Sequence, residues 1–312
     1  MRILVTGGAG FIGSNLAEAL WESHEVIVLD NLYLGNKENV ATLPIQFEQG
    51  SVMDLGLLRK LCKNCDYIFH NAAMSSSPMF KGGPQNGIET NVTGFMNVMQ
   101  AAHENGVKRV VYASTSSMYN GNPLPYSENQ RIIAKTFYEA SFRMREIIAQ
   151  TYYYEHNLSS IGLRYFSVYG PRELHKGQYA NNISQFLWDM MKNKPPIIYG
   201  DGTQRRDFTF VQDVVHANIL AMKSKIQFGV FNVGTGIGTS FNDLVELVNE
   251  ILDSRIKPKY VTNPFKNYVH DTIADLSLIS QSLRYRPQWP LEKGIRFLAG
   301  YYHQKPIIFD SQ

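Results

Sequence analysis

Three glycines near the start of the chain have the spacing that binds a dinucleotide. Gly7, Gly10 and Gly13 follow a short apolar run, residues 2–5, and precede a stretch that favours a helix. With this spacing the backbone turns sharply, approaches a pyrophosphate closely and lets the helix pack against the strand. The free N–H groups and the positive dipole end of the helix then face the phosphates. The pattern predicts a phosphate-binding strand–turn–helix unit.

A carboxylate after the second apolar run fits the ribose of the same ligand. Residues 25–29 (EVIVL) predict a strand, and Asp30 follows it directly. An acidic residue at this position accepts hydrogen bonds from the ribose hydroxyls of an adenosine, and it repels a 2′-phosphate. The sequence therefore predicts NAD rather than NADP as the cofactor.

These groups need a sheet whose strands end at one edge, and the first half of the chain predicts one. Further strands are predicted at residues 45–49, 66–73, 108–114 and 160–164. Helices are predicted at residues 54–62, 86–105 and 136–156. Strands that alternate with helices are typical of an α/β protein with a doubly wound parallel sheet. We expect a Rossmann-type NAD-binding domain over residues 1–170.

The second half predicts a smaller α/β lobe over residues 171–312. Its predicted elements are helices near residues 181–192, 240–252 and 291–302 and strands at 197–202 and 230–234. No flexible linker separates the halves, so the two lobes should be closely joined. We expect this lobe to bind the substrate, and the chain to return to the first domain near 207–235 and 270–276.

Composition argues against nucleic acid and membranes as partners. The chain has 312 residues and a net charge of +3, so neither nucleic acid nor a membrane surface is expected as its main partner. No apolar run reaches membrane-spanning length, and a strand at residue 2 leaves no room for a signal peptide. We expect a cytoplasmic protein. Cys62 and Cys65 have no second ligand pair, so no metal site is expected.

Nine segments together resemble the extended short-chain dehydrogenases of the nucleotide-sugar epimerase/dehydratase type, such as the UDP-glucose/galactose 4-epimerases. They are TGGAGFIG (6–13), DN (30–31), HNAA (70–73), NVTG (91–94), YAST (112–115), RYFSVYGPR (164–172), YGDG (199–202), RDF (206–208) and NVGTG (232–236). These segments cover the chain nearly end to end. The resemblance implies NAD as cofactor, a nucleotide sugar as substrate, with UDP favoured, and a homodimer formed through helices 86–105 and 136–156.

The resemblance also implies which residues bind ligands. The implied cofactor contacts are Gly7, Gly10, Phe11, Ile12, Gly13, Asp30, Asn31, Asp54, Ala72, Ala73, Asn91, Ser114 and Tyr138. The implied substrate contacts are Ser75, Ser167, Asn182, Tyr199 and Arg206. Arg206 matches an arginine that pairs with the diphosphate, a role that suits its planar fork. A second family arginine is expected where this chain has Phe265 followed by Lys266.

The implied catalytic residues are Tyr138, Thr115 and Ser116. In such enzymes a tyrosine removes the proton from a sugar hydroxyl, usually at C4, and a Ser or Thr shares the hydrogen bond. The pKa of free tyrosine is about 10, and a general base works best near ambient pH. The family lowers it with a lysine four residues after the tyrosine, a position that Phe142 occupies here.

Three interpretations of Phe142 remain open. The tyrosine of an active enzyme could be tuned by another cation, with Lys135, Arg143 and Arg145 nearby in sequence. Of these, Lys135 could share a helical face with Tyr138, whereas Arg143 points away from Phe142 on a helix and is a poorer candidate. The protein could instead bind NAD and a nucleotide sugar with little or no turnover. Phe142 could also be an introduced substitution that traps a complex.

Two serines distinguish between reactions. Dehydratases of this type have Asp and then Glu after the threonine, where this chain has Ser116 and Ser117. A decarboxylase would also need an acidic residue nearby. The resemblance therefore favours epimerisation at C4, which needs only reversible hydride transfer and rotation of the 4-keto sugar. A dehydratase that uses non-carboxylate groups remains the alternative.

Overall fold

The apolar runs form one parallel sheet in the computed structural model, which describes residues 1–264 and 268–304. The strands of this part of the chain are β1 (Arg2–Thr6), β2 (Glu25–Asp30), β3 (Gln46–Gln49), β4 (Tyr67–His70), β5 (Arg109–Thr115), β6 (Ser160–Tyr165), β7 (Ser167–Tyr169), β8 (Ile197–Tyr199), β9 (Arg205–Arg206), β10 (Phe208–Phe210), β11 (Phe228–Val233), β12 (Thr239–Ser240) and β13 (Lys259–Val261). Seven of them form the central sheet, in the order β11-β6-β5-β4-β1-β2-β3, with every neighbouring pair parallel.

Helices cover both faces of this sheet. The α-helices of the described chain are α1 (Phe11–Leu20), α2 (Leu55–Cys62), α3 (Gln85–Ile88), α4 (Gly94–Glu104), α5 (Phe137–His156), α6 (Asn182–Met191), α7 (Val211–Lys223), α8 (Phe241–Leu252), α9 (Ser277–Leu283) and α10 (Leu291–Gln304). One apolar cluster joins the sheet to α1, α7 and α9, and a second joins it to α2, α4 and α5. The prediction of a Rossmann-type doubly wound sheet is confirmed.

The order of the strands places a crevice at one edge of the sheet. The chain proceeds from β1 outward through β2 and β3, and then returns to add β4, β5 and β6 on the other side. Ligands of open α/β sheets bind where the order reverses, outside the carboxyl ends of the strands. The loops after β1, β4 and β5 therefore surround the crevice.

The long helix α5 carries side chains to that crevice. Its start is fixed by Thr136, whose hydroxyl oxygen accepts a hydrogen bond of 3.2 Å from the N–H of Glu139. This is the usual satisfaction of a free donor at a helix start. The helix ends at His156, and the next residue, Asn157, adopts the left-handed conformation at φ 52°. These bounds agree with the predicted helix over residues 136–156.

The second lobe is built around its own apolar cluster. Phe186 of α6, Leu244 of α8 and Leu298 of α10 are buried together there. The chain then returns to the large sheet, where α7 packs beside α1, and β11 pairs with β6. The division of the chain at residue 170 stays a prediction. Within the described residues, no helix has both the length and the apolar composition needed to cross a bilayer.

The structure divides one predicted helix and adds helices and short strands that were not predicted, the strands being β7, β9, β10, β12 and β13. The expected single helix over residues 86–105 consists of α3, one π-helical turn over Glu89–Thr93, and α4. A π turn holds an extra residue, which residue patterns do not reveal. The helices α7 and α9 were not predicted, because α7 is apolar on most of its surface and α9 has only seven residues.

Candidate active site

The glycine turn after β1 is closely packed. Gly7 has φ +67°, and a side-chain carbon there would lie 2.6 Å from the backbone nitrogen of Ala72. A side-chain carbon on Gly13 would lie 2.2 Å from the carbonyl oxygen of Gly7. Both positions therefore require glycine, as the spacing predicted. Gly10 precedes the first residue of α1 without a side-chain cap, which leaves the N–H groups of the helix start open.

A cavity of about 520 Å³ lies over this turn and the carboxyl ends of the strands. Fifteen of the predicted site residues line it: Gly7, Gly10, Phe11, Ile12, Gly13, Asp30, Asn31, Ala72, Ala73, Ser75, Ser114, Thr115, Ser116, Tyr138 and Ser167. The structure thus brings the predicted cofactor, catalytic and substrate groups to one cavity. Five predicted residues do not line it: Asp54, Asn91, Asn182, Tyr199 and Arg206.

Asp30 is positioned by backbone donors at the end of β2. Its Oδ2 accepts a hydrogen bond of 3.0 Å from the N–H of Ala9, and its Oδ1 accepts one of 2.8 Å from the N–H of Leu32. Burial raises the pKa of Asp30, although these hydrogen bonds act to lower it. The glycine turn and the carboxylate are therefore held together by the same backbone segment.

Tyr138 and Thr115 meet on the cavity wall. The phenol of Tyr138 donates a hydrogen bond of 3.1 Å to Thr115 Oγ1. Burial raises the pKa of Tyr138, and the hydrogen bond with Thr115 acts in the opposite direction. The hydroxyl of Ser117 also contributes a hydrogen bond to the phenol. This geometry allows a proton to move at an oxygen bound beside the two side chains.

The structure also shows where the cations near Phe142 lie. Phe142 is buried and lines the cavity. Lys135 is exposed and precedes α5, so it does not share a helical face with Tyr138. Arg143 donates a hydrogen bond of 2.8 Å to Glu146. Of the three cations considered from the sequence, Arg145 alone is buried beneath the cavity wall, behind Phe142.

Ser114 is held by a buried ion pair behind the wall. Its hydroxyl donates a hydrogen bond of 2.8 Å to Glu146, whose carboxylate also binds Arg164 at 2.8 Å through both oxygens. Burial acts to raise the pKa of Glu146, but the hydrogen bonds and charge of Arg164 outweigh it and hold that pKa below its ordinary value. The pair ties α5 to β5 and β6, and so fixes the helix that carries Tyr138.

Two of the predicted cofactor contacts have structural roles instead of a place in the cavity lining. Asp54 caps α2, accepting a hydrogen bond of 2.9 Å from the N–H of Leu57. Asn91 is buried in the π turn, where its amide binds the backbone of Met74 and the hydroxyl of Ser141. The Asp54 carboxylate and the Asn91 amide oxygen thus accept hydrogen bonds from the backbone N–H groups of Leu57 and Met74, which would otherwise lack partners.

The predicted substrate contacts are only partly brought together. Arg206 is buried and donates to the carbonyl oxygens of His270, at 2.6 Å, and of Val269. Among the described residues, Arg206 forms no ion pair with Asp207 or Asp213, the surface pairing that its sequence neighbours would allow. Asn182 begins α6, whereas Asn181 before it lines the cavity. Phe265 and Lys266 lie outside the described residues.

A strap from the second lobe adds residues that sequence reasoning did not find. We define the strap as residues 172–181, and four of its members line the cavity: Lys176, Tyr179, Ala180 and Asn181. Lys176 Nζ lies 5.5 Å from the ring centre of Phe11 and 3.2 Å from the carboxylate of Glu173. The one available signal was a run of polar residues directly after the RYFSVYGPR segment.

The two cysteines lie away from the cavity lining. Both are buried free thiols near the end of α2. Burial raises the pKa of Cys62 to about 12 and that of Cys65 to about 11. Both groups are therefore protonated at neutral pH, a state that disfavours metal binding and thiol exchange.

Known proteins resemble this chain over almost its whole length. The model of the NAD dependent epimerase/dehydratase family matches residues 3–234. A protein of Methanocaldococcus jannaschii with the provisional name UDP-glucose 4-epimerase is 35% identical over 303 residues, covering 96% of this chain and 97% of its own. A UDP-N-acetyl-alpha-D-glucosaminuronate decarboxylase of Bacillus cytotoxicus is 31% identical, covering 97% and 98%.

A solved structure shows the same likeness. The UDP-glucose 4-epimerase of Thermotoga maritima with UDP-glucose is 32% identical and matches with a TM-score of 0.91, covering 97% of this chain and 99% of its own. The chain belongs to the NAD dependent epimerase/dehydratase family. The predicted family and the predicted cofactor, NAD, are confirmed. The relatives include both epimerases and decarboxylases of nucleotide sugars, so membership defines the enzyme class and leaves the reaction open.

The described residues fit the cofactor of this family. The side-chain-free turn at Gly7 and Gly13 leaves room for a pyrophosphate at the start of α1. The Asp30 carboxylate lies in the same cavity, at the end of β2. The phenol of Tyr138 lies at the end of β5, where the reacting part of a dinucleotide would be reached from the same crevice.

Proposed function

We propose that this protein catalyses the NAD-dependent epimerisation of a nucleotide sugar at C4, with UDP as the favoured nucleotide. The observation that carries the proposal is the hydrogen bond of 3.1 Å between Tyr138 and Thr115 on the wall of the cavity. A hydroxyl of the sugar bound beside these groups would be placed for proton transfer. The UDP-linked names of the relatives support the choice of nucleotide.

In the proposed mechanism, the cofactor supplies hydride transfer and the side chains of the protein supply proton transfer. NAD⁺, which the glycine turn and Asp30 would hold, would supply reversible hydride transfer at C4. Tyr138, as the phenolate, takes the proton of the C4 hydroxyl, so that the C4–O bond becomes a carbonyl. Thr115 donates a hydrogen bond to the phenolate oxygen and stabilises its charge. After the keto sugar has turned its other face, Tyr138 returns the proton, and the hydroxyl has the opposite configuration.

The distribution of carboxylates favours epimerisation over dehydration or decarboxylation. Of the described residues that line the cavity, the one carboxylate is Asp30, at the end of β2. Ser116 and Ser117 lie beside Thr115, and serine does not act as a carboxyl acid or base. Elimination of water and loss of carbon dioxide both call for an acid near the reacting carbon. Epimerisation at C4 needs none.

A second candidate rests on Phe142. This side chain is buried, lines the cavity and lies 5.1 Å from the ring of Tyr138, ring centre to ring centre. It brings neither charge nor a hydrogen bond to the phenol. On this observation the alternative is a protein that binds NAD and a nucleotide sugar with little or no turnover.

Turnover on defined sugars separates the two candidates. The purified protein is incubated with NAD⁺ and a panel of UDP-, dTDP-, GDP- and CDP-sugars, and products are followed by NMR. Phe142→Lys runs in parallel, with Tyr138→Phe as the inactive control. We expect a C4 epimer from the native protein and a loss of about a thousandfold in kcat for Tyr138→Phe, the usual scale of general-base catalysis.

Other outcomes decide against the proposal. Turnover by Phe142→Lys alone means that the site is correct but that Phe142 has disabled it. NAD binding without turnover by either protein replaces the epimerase with the binding protein. Formation of a 4-keto-6-deoxy sugar or release of carbon dioxide assigns the alternative reactions.

The assembly and location of the protein belong to the same proposal. We propose a homodimer formed through α4 and α5, which expose Met96, Phe137, Met144, Ile147 and Tyr154. Apolar side chains in such a patch typically mark a protein interface. We further propose a cytoplasmic protein without nucleic-acid or membrane partners, supported by its small net charge.

A further inference from the structure

Arg145 is a buried cation without a carboxylate partner. Its side chain is 0% exposed. Nε donates a hydrogen bond of 2.6 Å to the carbonyl of Asn91, and Nη2 donates one of 2.9 Å to the carbonyl of Ala72. Its sequence neighbour Glu146 pairs with Arg143 and Arg164 instead. Nη1 is buried and has no hydrogen-bond partner within residues 1–264 and 268–304.

The positive charge of Arg145 is not balanced by a negative charge in this arrangement of the described residues. A guanidinium stays protonated in proteins. Burying a charge is costly unless a charge of opposite sign compensates it, and neutral carbonyl groups compensate only in part. Burial lowers the pKa of Arg145 to about 9, which still leaves it charged at neutral pH. The site therefore favours an anion nearby, and an ionisable acid within its field is the natural source.

A stack of side chains connects Arg145 to Tyr138. The guanidinium carbon lies 4.7 Å from the ring centre of Phe142. The ring of Phe142 meets the ring of Tyr138 edge-on, at 66° and 5.1 Å between centres. Positions 138, 142 and 145 share one face of α5, because residues three and four apart are neighbours on a helix. The three side chains thus run in sequence from the cavity wall into the interior.

Other charged or ionisable groups face the two ends of this stack. Tyr112 of β5 and His70 of β4 lie within the field of Arg145. The phenol of Tyr112 is buried without a described partner, and burial raises its pKa well above the ordinary value, so it stays neutral. Desolvation and the charge of Arg145 both lower the pKa of His70, so it stays neutral too.

Tyr138 is the acid of this group that reaches the cavity. Burial raises its pKa, while the hydrogen bond with Thr115 and then the charge of Arg145 lower it. The carboxylate of Glu139 on the same helix acts against them. The positive field of Arg145 thus reaches the phenol that lines the cavity and donates a hydrogen bond to Thr115.

We propose that Arg145 is a positioning residue that supplies the fixed positive charge for the phenolate of Tyr138, acting across Phe142 from behind the cavity wall. The catalytic meaning of this charge rests on the proposed function. Because Phe142 separates it from the cavity, Arg145 stabilises the phenolate without contacting cofactor or sugar, so its loss should affect kcat more than the affinity for NAD.

The test compares two substitutions with different charges. Arg145→Gln keeps donors for the carbonyls of Ala72 and Asn91 but removes the charge, and Arg145→Lys keeps the charge. The titration of Tyr138 is followed by ¹³C NMR of Cζ-labelled tyrosine in the NAD-bound protein, with Tyr138→Phe to assign the signal. We expect the midpoint to move to higher pH by about one pH unit in Arg145→Gln and to stay near the native position in Arg145→Lys.

A purely structural role predicts a different result. It would change the melting temperature and leave the midpoint of Tyr138 the same in both variants, which overturns the proposal. Should Arg145→Gln fail to fold, the double variant Phe142→Lys/Arg145→Met places an ammonium on the cavity side. Its midpoint should match the native one or lie below it, and a midpoint well above the native one contradicts the proposal.

The kinetic arm separates this proposal from the proposed function. On an accepted sugar, the pH at which kcat reaches half of its plateau should move upward with the NMR midpoint in Arg145→Gln, while the Kd for NAD stays within about twofold. If the native protein converts no sugar, the epimerase assignment fails, and the NMR titration still decides whether Arg145 stabilises the phenolate.

Discussion

Asp30 has acceptor capacity left for a ligand. Its oxygens accept backbone hydrogen bonds from Ala9 and Leu32, and the N–H of Gly10 contributes a further one. An ionised carboxylate offers about four acceptor positions. At the scale of single residues, the backbone thus fixes the direction of the carboxylate, and acceptor capacity remains for a ribose hydroxyl. The same charge opposes a phosphate at the 2′ position.

Removing this charge should change the choice of dinucleotide. We expect Asp30→Asn to weaken NAD binding by about tenfold, since a hydrogen bond to a charged group is lost, and to improve NADP binding relative to NAD. Calorimetric Kd values for both dinucleotides check this. Asp66→Asn removes a carboxylate at the start of β4, where it pairs with Lys108, and should leave both Kd values unchanged. An unaltered NAD to NADP ratio in Asp30→Asn would contradict the assignment.

Residue types predicted the parts of the site that one local pattern defines. The Gly7 turn and Asp30 depend on a single strand–turn–helix unit, and Tyr138 and Thr115 depend on family motifs. Arg145 was only one of three nearby cations in the sequence. Its selection depends on burial and on packing against Phe142, which arise from the tertiary fold.

At the scale of elements, the strap closes one side of the cavity. Arg172 binds Glu18 of α1, and His175 lies within hydrogen-bond distance of Asn36 after β2. Directly after His175, Lys176 lies over the ring of Phe11 at the start of α1. The strap therefore adds a cation to the N-terminal end of the helix that the glycine turn leaves open.

This placement predicts a contribution of Lys176 to cofactor binding. Lys176→Ala should weaken NAD binding by about three- to tenfold, the scale of a partly exposed charge interaction, and should reduce the dependence of binding on salt. Kd values at several salt concentrations provide the measurement. Lys225→Ala removes an exposed lysine from the loop before β11 and serves as the control. Equal salt dependence in both variants and the native protein would count against Lys176.

The ion pair of α5 with β6 should determine the stability of the helix. Glu146→Gln leaves Arg164 buried without its charge partner, so we expect a loss of about 3–5 kcal/mol in the free energy of unfolding. The folded-state pKa of Glu146 is lowered, so its contribution is present above the unfolded-state pKa and is lost as the pH falls through the folded-state pKa.

Urea denaturation at neutral and at acidic pH tests both statements. The difference between native protein and Glu146→Gln should be large at neutral pH and should shrink at acidic pH. The control is Glu104→Gln, an exposed carboxylate that pairs with Arg59, for which little change is expected. A difference that stays constant with pH would exclude the charge of Glu146 as its source.

Element patterns in the sequence located most of the sheet and its helices, but not their irregularities. The predicted helix over residues 136–156 matches α5 closely, because the signals of a long helix are local. The π turn over Glu89–Thr93 and the strap had no such signal. Each is set by contacts between segments that are far apart in the chain, such as Asn91 with Met74 and Lys176 with Phe11.

At the scale of the whole molecule, α4 and α5 carry a row of exposed apolar side chains. Phe137, Met144, Ile147 and Tyr154 follow one another along α5, and Met96 lies on α4. The opposite faces of both helices are buried against the sheet. Two copies that pair through these helices would remove the exposed apolar area from water, which favours association.

A charge introduced into this surface should separate the copies. Ile147 is 48% exposed on α5, and Ile147→Asp would bury a carboxylate in the proposed interface, where it has no partner. We expect the native protein to have the mass of a dimer in light scattering, and Ile147→Asp that of a monomer with an unchanged circular dichroism spectrum. Ile237→Asp changes a side chain that is 68% exposed in the loop before β12 and should stay dimeric. A native monomer, or a dimer that survives Ile147→Asp, would assign this apolar surface to something other than a second copy.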